Sequence, residues 1–131
     1  MIIQIKDCLS IVNEVTHVSN KDILGTYRYA FAAEARFLLY WAARTYTLYS
    51  FPKIGHVLNR DHTSIFHGYN KVLRFLKNND ENWIRLTNKF DEVFKERFSN
   101  HLEIFTETMT VSEAEKVRIF LRELRKNNEQ D

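Results

Sequence analysis

Apolar residues recur along this chain at three- and four-residue spacing, and that pattern predicts a protein built from helices. Ile2, Ile5, Leu9, Val12 and Val15 mark a first amphipathic helix. Ser19 reads as the N-cap of a short helical turn, with Asp22 in its first turn and Gly25 as its stop. Residues 26–28, Thr-Tyr-Arg, form a connector. Residues 29–48 contain no Gly or Pro and are apolar on most sides around Phe37-Leu38-Leu39-Tyr40-Trp41-Ala42-Ala43. One long, centrally buried helix is expected there. Its charged positions Arg36 and Arg44 are eight apart and share a face that can look outward.

Ser50 then caps a shorter helix, with Pro52 near its first turn, where the missing N–H costs nothing. Ile54, Val57 and Leu58 give that helix an inner face, and Asn59-Arg60 makes a tight turn. Asp61 is the N-cap of a helix running to about Asn78, with Ile65, Tyr69, Val72, Phe75 and Leu76 as its apolar stripe. His62, Thr63, Ser64 and His67 lie off that stripe. Two helices joined by so short a turn, the second polar at its start, make a helix-turn-helix.

Asn78-Asn79-Asp80 breaks the pattern. Trp83, Leu86, Phe90, Val93, Phe94 and Phe98 resume it, continuing through Leu102 and Phe105. Thr110-x-x-Glu113 is a capping box, followed by Ala114, Val117, Phe120, Leu121 and Leu124 on one face of a final helix. These elements predict a helical hairpin that either packs back on the domain or pairs with a second copy. Residues 126–131 form a polar tail.

Three Gly and one Pro leave few turns, which favours long helices. Cys8 is the one cysteine, so an internal disulfide is ruled out; it fits a buried thiol in a reducing compartment. No apolar run approaches the roughly 18 residues that span a bilayer, and no signal-peptide pattern opens the chain. A soluble protein of the cytoplasm, with no membrane partner, is the expectation. Net charge is only +2, but its distribution is uneven. Residues 26–78 carry eight basic and two acidic side chains, a net of +6, against −1 before them and −3 after. Positive charge concentrated on one region is the footprint of phosphate binding, or of basic residues that merely cluster on a helical surface.

The string Ser50-x-Pro52-x-Ile54-Gly55 is followed by Arg60-Asp61-His62-Thr63-Ser64-Ile65-x-His67 and then Lys71-Val72. Upstream stand Arg36 and a long apolar helix ending at Arg44 and Thr47. Over these residues, from about Val12 to Leu76, the chain resembles the C-terminal DNA-binding domain of the bacterial replication initiator DnaA. The resemblance implies an all-α, Trp-repressor-like helix-turn-helix bundle at residues 1–78; residues 79–131 lie beyond it and are expected, from their apolar spacing, to form a C-terminal helical extension. It implies sequence-specific binding of double-stranded DNA at a DnaA-box-like site, in control of replication initiation or transcription.

It also assigns roles. Asp61, His62 and Thr63 would read bases in the major groove, where Asp accepts from cytosine, His donates to a base acceptor and the Thr methyl meets a thymine methyl. Ser64 would hold a phosphate, helped by the helix N-terminus. Arg36 matches a guanine-binding arginine, and Arg28 falls where a basic loop enters the minor groove. Arg44, Lys53 and Lys71 are phosphate contacts and His67 lies near the backbone, while Pro52 and Arg60 complete the matched interface. Each has a plainer reading: a capped helix start for residues 60–64, a solvated arginine at 36, surface charges at 44, 53 and 71, a buried hydrogen-bonded histidine at 67.

Two departures from the family are visible. The turn before Arg60 is one residue shorter, with Asn59 where a glycine pair is usual, and Phe37 replaces a polar residue beside Arg36. Asn tolerates the left-handed conformation such a turn needs. The basic loop is also thin, with Tyr27, Tyr29 and Ala30 around a lone Arg28.

The glycines, Gly25, Gly55 and Gly68, form no Walker A pattern, so binding without nucleotide or ATPase activity is expected. A second reading is a helical interaction module that keeps the fold and works through its C-terminal helices, on a partner protein or as a homodimer. A metal-dependent nuclease built on His56, His62, His67 and Asp61 is disfavoured, because His62 and His67 are five apart and no metal-ligand spacing occurs. No catalytic residue, metal or cofactor is therefore expected.

Overall fold

The structure is a computed structural model that describes residues 3–26 and 29–108, with side chains through Phe98. Among these residues it is entirely helical: α1 (Ile5–Thr16), α2 (Asn20–Leu24), α3 (Ala30–Tyr46), α4 (Phe51–Leu58), α5 (His62–Lys77) and α6 (Glu81–Thr108). Ile2, Arg28, the side chains of Leu102 and Phe105, the Thr110–Glu113 capping box, the final helix and the tail at 126–131 lie outside the described residues. The chain divides into two compact units between Asp91 and Glu92.

In the larger unit α3 is the common element, packing on α1, α2, α4 and α5. Its composition requires this. Ala32, Ala35, Leu38, Leu39, Ala42 and Ala43 are buried, and a helix apolar on most sides must be covered on most sides. α1 contributes Cys8, Ile11 and Val12; α2 contributes Ile23; α4 and α5 contribute Ile54, Ile65 and Val72. Burial pushes the Cys8 thiol up to about 12, so it is an inert core group.

α5 reaches α3 closely because of Gly68. A Cβ there would meet Tyr40 Cδ2 at 2.6 Å and Phe37 Cδ1 at 3.1 Å. The Trp41, Tyr46 and Phe90 rings form a cluster with centroids 4.9–5.9 Å apart, edge-to-face at Trp41 and tilted between Tyr46 and Phe90. The Tyr46 hydroxyl donates to the buried Asp91 carboxylate at 2.9 Å. Burial and that carboxylate push the phenol far above its ordinary value. Trp83 stacks on Phe75 at 5.7 Å. The opening turns of α6, through Asp91, thus belong to the larger unit. In the smaller unit the described part is the remainder of α6, where the Phe94 and Phe98 rings meet at 5.1 Å.

One detail of the expected core is corrected. Val57 is 49% exposed, because the inner face of α4 is centred between Ile54 and Gly55, and Val57 is rotated away from Gly55.

Phe90 is fully buried against both Trp41 and Tyr46, so Phe90→Ala should cost about 3–5 kcal/mol, measured by urea denaturation of the full chain. A loss of a few tenths would mean that the opening turns of α6 are not part of the core.

Candidate nucleic-acid interface

The turn between α4 and α5 sets the geometry of the site. α4 opens on Ser50, whose hydroxyl accepts from the Lys53 N–H at 3.3 Å, with Pro52 in the first turn. It ends at Asn59, in the left-handed region at φ 54°, ψ 49°, which a short Asx side chain tolerates. The Arg60 N–H returns to the Gly55 carbonyl at 2.8 Å, and the chain enters α5 at Asp61. A Cβ at Gly55 would stand 2.6 Å from the Arg60 carbonyl oxygen and 3.1 Å from the His62 nitrogen. Backbone therefore meets backbone across the turn, and only glycine permits it.

Asp61 caps α5 by accepting from the Thr63 N–H at 2.8 Å. Hydrogen bonds from the Thr63 backbone and side chain hold its carboxyl below the usual carboxylate range. The folded value is lowered, so the cap's contribution is present above the unfolded value and is lost only as pH falls through the lowered one. His62 Nδ1 lies 3.8 Å from this carboxylate. Asp61, His62, Thr63 and Ser64 are all exposed, on the first turn of a sixteen-residue helix with its N-cap in place.

Thr63, His67 and Lys71 follow at i, i+4 and i+8, with Ser64 beside them, and form one exposed stripe along α5. His67 is thus a surface residue, and the buried alternative for it is set aside. Lys71 Nζ sits 5.0 Å over the Phe37 ring, so the apolar replacement at position 37 serves as a platform for a cation. Arg44 does the same over Phe51 at 5.2 Å. Pro52 and Lys53 are exposed at the start of α4.

Two of the expected DNA contacts are placed differently. Arg36 donates through Nε to the Ile23 carbonyl at 3.0 Å and through Nη2 to the Asp22 carbonyl at 3.1 Å. Arg60 donates through Nη2 to the Leu24 carbonyl at 2.8 Å and the Gly25 carbonyl at 2.5 Å. Both guanidinium groups thus sit on the C-terminal end of α2. The face shared by Arg36 and Arg44 is split: Arg44 is exposed, whereas Arg36 is half-buried. Burial pushes the Tyr40 phenol up, and the nearby Arg60 and Arg36 charges pull it part of the way back. Arg28, the expected minor-groove residue, lies outside the described residues.

Sequence reading also missed a cluster. Phe51 meets Phe66 at 5.4 Å and Tyr69 at 5.3 Å, with Phe66 45% exposed on the flank of α5 next to α4. Phe66 lies off the apolar stripe of α5, which was the available signal. Among the described residues no cluster of three His, Cys, Asp or Glu is arranged to hold a metal, and no helix is long and apolar enough to cross a membrane.

The family described as bacterial dnaA protein helix-turn-helix matches residues 5–72, more than half of the chain. Among curated relatives, the chromosomal replication initiator protein DnaA of Streptococcus thermophilus is 36% identical over 80 residues, 60% of this chain and 18% of the relative. The DnaA protein of Xanthobacter autotrophicus is 34% identical over 71 residues, 53% of this chain and 14% of the relative. The match therefore spans less than a fifth of the length of these relatives.

The close approach at Gly55 makes a sharp test of the turn. Gly55→Ala should lower stability by about 1–3 kcal/mol in urea denaturation, because the neighbouring atoms are backbone and cannot rotate aside. A gain in stability, as from an ordinary helical Gly→Ala change, would mean that the two helices are not held this close.

Proposed function

The chain belongs to the bacterial DnaA helix-turn-helix family, and on that premise we propose that it recognises a DnaA-box-like site in double-stranded DNA. In this reading the first turn of α5 enters the major groove. Asp61, His62 and Thr63 face base edges, Ser64 and the N-terminal amides of α5 meet a phosphate, and His67 and Lys71 continue along the backbone. Arg44 from α3 and Pro52 and Lys53 from α4 flank the groove. The observation that carries the proposal is the exposed, already capped start of α5, continued by the Thr63–His67–Lys71 stripe. The helix that would meet the duplex is already formed and capped, which lowers the ordering cost of binding.

The protein acts, in this reading, in control of replication initiation or transcription at the nucleoid, without nucleotide and without ATPase activity. Residues 1–78 carry the reading of DNA. Residues 79–131 form the extension, whose opening turns complete the core, and whose remainder is the candidate surface for a homodimer or another protein. A second reading, an interaction module with weak DNA binding, draws support from the inward engagement of Arg36 and Arg60 and from the exposed Phe66.

Fluorescence anisotropy separates the two. A labelled duplex with one DnaA box should bind about 10³-fold or more tighter than a scrambled duplex at the same salt. His62→Ala should cost about 1–3 kcal/mol on the box duplex and relax preference at one position. Lys53→Ala should weaken both duplexes alike and reduce the salt slope by about one. Equal, strongly salt-dependent binding to both duplexes would favour the interaction module. Unchanged discrimination in His62→Ala would remove α5 as the reading helix.

A further inference from the structure

We propose that Arg60, the first residue of the Arg60-Asp61-His62-Thr63 string, is a positioning residue that acts through α2. The inference rests on the DNA-binding reading above and deepens it. α2 is only five residues long, so it cannot hold itself together. The last carbonyls of any helix lack intrahelical donors, and here that group runs from Asp22 to Gly25. All four carbonyls are satisfied by side chains from elsewhere: Asp22 and Ile23 by Arg36, Leu24 and Gly25 by Arg60. The Tyr29 hydroxyl closes the far side by donating to Asp22 Oδ2 at 2.5 Å.

Arg60 is well placed for this role. It is the residue between the left-handed Asn59 and the cap Asp61, and its own N–H is fixed on the Gly55 carbonyl. Its guanidinium spans 35 and 36 residues of sequence to reach α2. The helix-turn-helix turn and the point where the chain leaves α2 toward α3 are therefore one braced unit. A guanidinium committed to two carbonyls is a poor phosphate ligand, since each new bond to DNA would replace a hydrogen bond already made, one of them to the half-buried Gly25 carbonyl. Its contribution to recognition is to fix the chain leaving α2 relative to the start of α5.

The test compares wild type, Arg60→Lys and Arg60→Ala as full chains. Lysine keeps the charge but loses the planar fork. Amide hydrogen exchange on the DNA-free proteins should show Ile23 and Leu24 exchanging about tenfold faster or more in both variants, while Leu38–Ala43 in α3 keep wild-type protection. In anisotropy with the box and scrambled duplexes, both variants should lose about tenfold or more of the preference for the box, lysine faring no better than alanine. A phosphate contact gives a different result: lysine retains the preference, and alanine weakens both duplexes alike with a salt slope lower by about one. That result, or unchanged exchange at Ile23 and Leu24, overturns the assignment. A wild type with no preference for the box overturns the DNA-site reading instead, and the exchange data still decide whether Arg60 holds α2.

Discussion

Everything in the larger unit follows from the need to cover α3. From Leu38 to Ala43 this helix has no polar position, so water must be excluded on every side at once. α1, α2, α4, α5 and the start of α6 each supply part of that cover. Burying one large apolar side chain is worth about 1.5–3 kcal/mol, and the shared core sums many such contributions against the entropy of ordering five short and medium helices. The same requirement fixes the placement of α5. Gly68 lets α5 settle directly on Tyr40 and Phe37, and Gly55 brings α4 against the first residues of α5. With its middle held by α3 and its start held by α4, α5 presents a first turn whose exposed groups are rigidly placed.

Polar groups near this core divide into two kinds. Some are used inward: Arg36 and Arg60 on α2, and Tyr46 with Asp91. Others stay at the surface but are held by aromatic rings, as Arg44 is by Phe51 and Lys71 by Phe37. A cation over a ring keeps its charge and loses part of its rotational freedom, so it can meet a phosphate at lower entropic cost than a freely waving side chain. The high aromatic content therefore bears on the interface as well as on the core.

Much of this was legible in the sequence. The helices, the Ser50 and Asp61 caps, the tight Asn59-Arg60 turn and the burial of α3 all follow from local spacing and capping chemistry, which are written in neighbouring residues. The left-handed Asn59 was legible for the same reason. The fate of Arg36 and Arg60 was not. Their partners are backbone carbonyls 13 to 36 positions away in sequence, and carbonyls carry no residue identity that a pattern could reveal. Val57 misled because period alone gives a face but not its centre, which the close contact at Gly55 decides. Phe66 was readable as an off-stripe aromatic, but its partnership with Phe51 depends on how α4 crosses α5.

The inward arginines also change how the charge should be counted. Eight basic side chains in residues 26–78 first appear as one field directed at DNA. Two of them neutralise the carbonyl end of α2 rather than facing outward. Arg44, Lys53 and Lys71 remain exposed, together with His67. Counterion release scales with the phosphates that are neutralised, not with the formal charge of a segment. The salt dependence of binding should accordingly reflect this smaller outward set. Arg36 and Arg60 would then enter through specificity, by fixing where the chain leaves α2, and a sequence motif of DNA-facing residues would contain members that never face the DNA.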